Sequence, residues 1–364
     1  MKVAFRVDAS LQIGSGHVMR CLTLADALKA QGADCHFISR EQPGHLLEVI
    51  DQRGYTVNRL SAPLTNIEKL QKPAHAAWLG CTWQTDAADT GALLADWQPD
   101  WLVVDHYALD HNWEEALAPR YQKLLVIDDL ADRIHSCDLL LDQNLGRQPA
   151  HYAQWVRNYS RVLTGPHYAL LRPEFAALRS YSLNRRQTQP ALRQLLVTMG
   201  GVDQPNATGQ VLQTLHTCAL PADCRITVVM GLTAPWLQNV QRLAAQMPWP
   251  TKVVVNVRDM AQLMADCDLA IGAAGGTSWE RCCLGLPTLM VLLAANQQAG
   301  AQALESADAA RLIGFVSEVA KQLPLAVLEL IESDSHRHMS VAASAVTDGH
   351  GVDKVMKAMG LLNA

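Results

Sequence analysis

The sequence predicts an α/β protein of two doubly wound domains, and three observations carry that expectation. Apolar runs alternate with helical patterns through both halves, as in parallel sheets covered on both faces. Two of those runs break into a glycine turn that opens a helix, Ile13-Gly14-Ser15-Gly16-His17 in the first half and Gly275-Gly276-Thr277-Ser278 in the second. Between them, Leu183 to Pro190 is polar and ends in proline, as a linker does, and the alternation restarts beyond it. The domains are accordingly expected at 1–182 and 191–349, with 183–190 as linker and a helix at about 350–364 packing back on the first.

Val3 to Val7 reads as a buried strand, and Val18 to Ala30 as a helix with Leu22, Ala25 and Leu28 on one face. In the turn between them, Gly14 and Gly16 let the backbone approach a ligand, and the helix start offers unpaired N–H groups to an anion. A phosphate fits there with His17 beside it; a tight turn closed by a capping histidine explains the same residues equally well. Cys35 to Ser39 follows as a strand, Gly44 to Gln52 as a helix, Tyr55 to Leu60 as extended chain and Asp86 to Trp97 as a helix. Trp101 to Tyr107, Leu124 to Asp129 and Leu139 to Asn144 each pass from apolar to polar residues. Ligands of doubly wound sheets bind outside the carboxyl ends of the strands, so Asp8, Asp105, His106, Tyr107, Asp128, Asp142 and Asn144 are expected on one rim with the glycine turn. Taken singly, turn chemistry or helix capping accounts for each. Arg161 to Thr164 is the last strand before Gly165-Pro166.

In the second half, Leu195 to Thr198 leads into Met199-Gly200-Gly201, Arg225 to Met230 and Lys252 to Asn256 read as strands, and Trp236 to Ala245 and Met260 to Ala265 as helices. Leu269 to Gly272 runs into the second glycine turn, where Thr277 or Ser278 can cap the helix while the glycines admit a pyrophosphate. Glu280 either complements the helix dipole or accepts two hydrogen bonds from a ribose diol. Leu289 to Leu293 ends at Asn296-Gln297, and Val352 to Leu362 is amphipathic with Val355, Met359 and Leu362 in step.

Composition narrows the partners. The chain has 364 residues, room for two cores, and its 30 Lys and Arg against 35 Asp and Glu, without a basic run, leave no electrostatic footprint for nucleic acid or an anionic membrane. A small molecule is the expected partner. Arg6 and Asp8 interrupt the first apolar run, so neither a signal peptide nor an anchor is expected, and no stretch reaches spanning length. Nine cysteines without C-x-x-C spacing point to reduced thiols and the cytoplasm rather than disulfides or zinc. Asp266-Cys267-Asp268 lies before its strand, away from the ligand rim, and is rejected as a metal site; His336 and His338 are expected at the surface. Neither metal nor cofactor is called for.

Arg6-Val7-Asp8, Ile13 to His17 with Met19-Arg20, Asp105-His106-Tyr107, Tyr168 to Phe175, Met199 to Asp203, Gly275 to Glu280 and Asn296-Gln297 fall in order along nearly the whole chain. Together they resemble the GT-B architecture of the lipid-II-type N-acetylglucosaminyltransferases, two Rossmann-like domains with a cleft between them. More specifically they resemble the UDP-sugar hydrolases of pseudaminic acid biosynthesis, which remove UDP from UDP-2,4-diacetamido-2,4,6-trideoxy-β-L-altropyranose. The resemblance implies that His17 is the catalytic base, with Tyr107 on the sugar side and Asp8 as a candidate to orient the imidazole. It implies Glu280 at the ribose, Gly200, Gly201, Thr277 and Ser278 at the phosphates, and Asn144, Asn296 and Gln297 at the rim of the sugar pocket. Gly14, Ser15, Gly16 and Arg172, within the matching motifs, are expected at the substrate. The acetyltransferase domain that follows this core in some members is not expected here. UDP is a good leaving group that needs charge stabilisation, which two helix starts can supply, and the remaining task is to activate water, with inversion. A UDP-sugar glycosyltransferase, a hydrolysing epimerase and a non-catalytic nucleotide-sugar sensor are the competing expectations.

Overall fold

The computed structural model describes residues 1–62, 73–188, 191–231, 234–255, 257–332 and 335–361. The chain divides into two compact units, Met1–Leu170 together with Val352–Ala364, and Leu171–Gly351.

The first unit runs β1 Lys2–Val7, α1 Gly16–Ala30, β2 Asp34–Arg40, α2 Leu47–Gln52, β3 Thr56–Leu60, α3 Trp83–Leu94, β4 Trp101–Asp105, α4 His111–Leu117, β5 Lys123–Ile127, β6 Leu139–Asp142 and β7 Arg161–Thr164. All pairings are parallel, in the order β3-β2-β1-β4-β5-β6-β7. The winding therefore reverses between β1 and β4, and the connections leave in opposite directions there, opening a crevice at the carboxyl ends. Because side chains alternate along a strand, each strand feeds two cores. Val3, Phe5 and Val7, with Trp101, Val103, Leu125 and Ile127, pack beneath α1, joined by Val355 and Met356 of the C-terminal helix Gly351–Ala358. Ala4, Leu102, Val104, Leu124 and Val126 face the other way, toward Ala87 of α3 and Trp113 of α4.

The second unit begins with α5 Pro173–Thr188 and continues β8 Gln194–Thr198, α6 Ala207–Leu215, β9 Arg225–Met230, α7 Leu237–Ala244, β10 Thr251–Val255 and α8 Met260–Asp266. It is completed by β11 Leu269–Ala273, α9 Thr277–Cys283, β12 Thr288–Leu292, α10 Gln298–Ser306, β13 Arg311–Phe315, α11 Val319–Glu332 and α12 Ser335–Val346. Its parallel sheet is ordered β10-β9-β8-β11-β12-β13, so the reversal falls between β8 and β11.

The boundary differs from the one expected. Residues 183–188, read as linker, are the end of α5, and α5 belongs to the second unit; Gln189, Pro190, Asn256 and Leu362 lie outside the described residues. The reason is that α5 docks through polar atoms that hydrophobic periodicity does not register. Phe175, Arg179, Ser182 and Arg186 recur at helical spacing along one face. Arg186 donates to the carbonyls of Leu284, Cys267 and Met264, Ser182 to Leu284, and Arg179 to Cys283 and Ser344. Those carbonyls close α8, α9 and α12, where guanidinium groups also meet the negative ends of the helix dipoles.

Asp266 and Asp268 are occupied within the fold, the first accepting from Tyr181 and the second from the main chain of Arg193 and Gln194 and pairing with Arg185. All nine cysteines are buried and unpaired. Among the described residues no helix is long and apolar enough to cross a membrane.

Candidate active site

The crevice of the first unit is built on the turn after β1. Gly14 there has φ +81°, which only glycine adopts without strain, and α1 starts at Gly16 with Ser15 as a helical N-cap that makes no side-chain cap bond. His17 thus stands in the first turn of α1. Its Nδ1 lies 2.6 Å from Asp105 Oδ1, at the end of β4. Burial raises the pKa of the Asp105 carboxyl, but the Arg20 guanidinium and His17 more than offset it and hold the group ionised, well below the usual range. A carboxylate can only accept, so Nδ1 is the nitrogen that carries hydrogen and Nε2 keeps its lone pair. Among the described residues Nε2 has no hydrogen-bond partner.

Arg20, one turn further along α1, locks this arrangement. Its Nε and Nη2 donate to Asp105 Oδ2 and Oδ1 at 2.6 and 2.7 Å, and its Nη1 reaches Asp129 Oδ2 at 2.8 Å. Asp129 also accepts the Tyr107 hydroxyl at 2.5 Å, and burial together with that carboxylate keeps the phenol protonated far above its ordinary pKa. The Tyr107 ring meets the His17 ring edge-on at 4.7 Å and carries Trp78 stacked on it at 5.6 Å, with His75 beside them. Asn144 joins the network, its Nδ2 donating to Asp142 at 2.9 Å and approaching Asp129 Oδ1 at 3.4 Å. His17, Tyr107 and Asn144 are therefore brought together with the glycine turn.

Asp8 is not. It belongs to a fully buried network on the opposite face of the sheet, where Arg6 bridges it to Asp86 at 2.6 Å on each side, Arg40 pairs with Asp86 at 2.7 Å, and His106 lies 3.2 Å away. Strand parity explains the correction. Ala4, Arg6 and Asp8 point away from α1, whereas Val7 points toward it, and Asp105 is the residue in register with Val7. The carboxylate that orients His17 is thus Asp105. Arg20 and Asp129 stood within quoted motifs but carried no site role, and His75 and Trp78 carried no expectation; only the spacing of His17 and Arg20, three apart on one helix face, signals the pairing.

In the second unit the glycine turns also sit at the reversal of the sheet. Gly200, after β8, has φ +83°, and Gly201 follows it. After β11, Gly276 is the N-cap of α9, so neither Thr277 nor Ser278 caps the helix; both hydroxyls accept from Arg281 instead, at 3.2 and 3.0 Å. Glu280 stands 3.8 Å from Arg172, and burial raises its carboxyl to about 7 against the opposing pull of that guanidinium. Gln297 accepts from the Leu293 N–H and lies beside Gly275, while Asn296 is exposed. Among the described residues no group of acidic, histidine and cysteine side chains could hold a metal ion.

Residues 195–356 match the glycosyltransferase family 28 C-terminal domain. Over 302 residues the chain is 26% identical to the UDP-2,4-diacetamido-2,4,6-trideoxy-beta-L-altropyranose hydrolase of Campylobacter jejuni, covering 83% of this chain and 95% of that one. The chain is a relative of that hydrolase. An uncharacterized protein of Methanocaldococcus jannaschii is 23% identical over 80% of this chain, and the spore coat polysaccharide biosynthesis protein SpsG of Bacillus subtilis 28% identical over 55%. The matches span only 55% and 58% of those two relatives. The crystal structure of Acinetobacter baumannii MurG aligns over 99% of both chains with a TM-score of 0.69 at 16% identity. The fold is that of the GT-B class, two Rossmann-like parallel-sheet domains.

Proposed function

We propose that the protein is a UDP-sugar hydrolase that cleaves UDP-2,4-diacetamido-2,4,6-trideoxy-β-L-altropyranose, or a close analogue, to UDP and the free sugar in pseudaminic acid biosynthesis. The observation that carries the proposal is the 2.6 Å pairing of His17 Nδ1 with the Asp105 carboxylate, which leaves Nε2 as a base beside the glycine turn. The name of the Campylobacter relative supplies the substrate.

In this mechanism His17 Nε2 takes a proton from water as its oxygen bonds to the anomeric carbon. The bond from that carbon to the UDP oxygen breaks, and the electron pair leaves with UDP. Asp105 stabilises the resulting imidazolium through Nδ1–H without itself taking the proton, and Arg20 keeps the carboxylate in place. A single displacement inverts the anomeric carbon. The second unit holds the nucleotide, Glu280 at the ribose and Thr277 and Ser278 at the phosphates, and the site works in the cytoplasm without a metal.

A second reading is transfer of the sugar to an acceptor, favoured by the family 28 domain and the likeness to MurG. Incubating the protein with the UDP-sugar and no acceptor separates the two. Stoichiometric UDP and free sugar supports the hydrolase; turnover only on adding an acceptor overturns it, and binding without turnover under either condition leaves a sensor.

A further inference from the structure

Arg281 is among the largest fully buried side chains of the protein, 1% exposed on the inner face of α9. Arg186 rests on three main-chain carbonyls, and the buried guanidinium groups of Arg6 and Arg133 are matched by carboxylates, the first by Asp8 and Asp86, the second by Asp128. Arg281 has no such match: among the described residues no carboxylate reaches ion-pair distance, and the neighbouring Glu280 pairs with Arg172. Its Nη2 donates to the Ala273 carbonyl at 2.7 Å and to Ser278 Oγ at 3.0 Å, its Nη1 to Thr277 Oγ1 at 3.2 Å, and its Nε is buried without a partner.

The fold makes room for this charge on purpose. A Cβ on Gly272, in the middle of β11, would stand 2.5 Å from Arg281 Nη1, so a glycine interrupts an otherwise apolar strand where the guanidinium lies against it. Arg281 belongs to the last turn of α9, but its guanidinium reaches back to Thr277 and Ser278 in the first, where the dipole favours an anion. Burial pulls the group down to about 10, which still leaves it charged at neutral pH. A buried cation without a counter-charge costs several kcal/mol, and among the described residues three hydrogen bonds but no carboxylate stand against that cost.

The two hydroxyls show where the compensation enters. Each accepts from Arg281 and so must turn its own proton elsewhere, yet among the described residues neither finds an acceptor. Two polarised O–H donors therefore stand in the turn that follows Gly275 and Gly276, backed by a full positive charge. We propose that Arg281 is the resident counter-charge of a diphosphate subsite, acting on the nucleoside diphosphate through the hydroxyls of Thr277 and Ser278. Arg281 is thus a positioning residue, and the proposal rests on the second unit being the nucleotide-binding one.

The test compares apo stability with the affinity for UDP, inorganic pyrophosphate and uridine in wild type, Arg281→Met, Arg281→Lys and Thr277→Val/Ser278→Ala. Arg281→Met should unfold at the same denaturant concentration as wild type or a higher one, since it removes an unpaired buried charge. It should bind UDP and pyrophosphate about ten- to a hundredfold more weakly, with uridine affinity unchanged. Arg281→Lys should recover part of the UDP affinity, and adding Arg281→Met to the double hydroxyl variant should cost little more. Equal losses for uridine and UDP, or UDP binding unchanged in Arg281→Met, overturn the role of Arg281. If Arg281→Met does not fold, UDP affinity in Arg281→Lys equal to wild type with Thr277→Val/Ser278→Ala also equal overturns it. A wild type that binds pyrophosphate in an Arg281-dependent way but not UDP keeps the anion subsite and removes only the nucleotide reading, whereas a wild type that binds neither removes both.

Discussion

His17 and Asp105, eighty-eight residues apart in sequence, share a 2.6 Å contact across the reversal between β1 and β4. The same carboxylate receives two hydrogen bonds from Arg20 on the helix that carries His17, so the ring, its tautomer and its partner are held as one unit. Replacing His17 by Ala or Gln is expected to abolish turnover while UDP binding stays nearly intact, because a general base contributes on the order of a hundred- to ten-thousandfold to rate and little to nucleotide affinity. Calorimetry and a turnover assay on the same sample check this; activity above about a tenth of wild type contradicts the base assignment.

Asp105→Asn separates orientation from proton transfer. The amide can no longer force hydrogen onto Nδ1, and the rate should fall by about a hundred- to ten-thousandfold with KM little changed. Steady-state kinetics on protein shown folded by circular dichroism decides it. A loss confined to KM would place Asp105 in substrate binding.

Asp8→Ala should behave oppositely, since Asp8 serves the buried Arg6 network on the other face. Breaking one partner of such a network costs about 3–5 kcal/mol. Burial raises the Asp8 carboxyl but Arg6 and His106 hold it well below its ordinary 3.8 in the fold, so its contribution is complete above that pH and is lost as pH falls further. Urea unfolding at neutral pH and at about pH 3 should therefore show a difference between wild type and variant that shrinks in acid. Unchanged stability at neutral pH contradicts the structural role.

Glu280→Ala should weaken UDP binding by about 2–4 kcal/mol if the carboxylate holds the ribose diol. The pH dependence is sharper. Burial raises Glu280 to about 7, so below that pH the free site is protonated and a ligand that needs the carboxylate must displace the proton. Uridine, which has no phosphate to titrate in this window, should bind more weakly as pH falls through 7, and Glu280→Gln should flatten that slope. A flat wild-type profile removes Glu280 from the ribose.

Hydrolysis in oxygen-18 water reports the bond broken. Label in the sugar and none in UDP is expected from attack at the anomeric carbon, with the inverted anomer seen first by NMR. Label in UDP would mean attack at phosphorus, and an initially retained anomer would require a carboxylate nucleophile in place of His17.

Read alone, the sequence determined the local and periodic parts of this protein. Alternating apolar runs marked the strands, Gly14 and the Gly275-Gly276 pair marked the turns, and polar residues at strand ends marked a rim containing His17, Tyr107 and Asn144. These are legible because burial, the positive φ of Gly14 and side-chain alternation are properties of neighbouring residues. Tertiary structure alone decided which carboxylate meets His17. Asp8 and Asp105 both end strands beside the turn, but strand order and register put Asp105 on the face that α1 covers and Asp8 on the other. It also assigned α5 to the second unit, through guanidinium bonds to main-chain carbonyls of helices distant in sequence. Both decisions depend on contacts between elements distant in sequence, the first on the face that a crossover covers and the second on polar docking, and no local period encodes either.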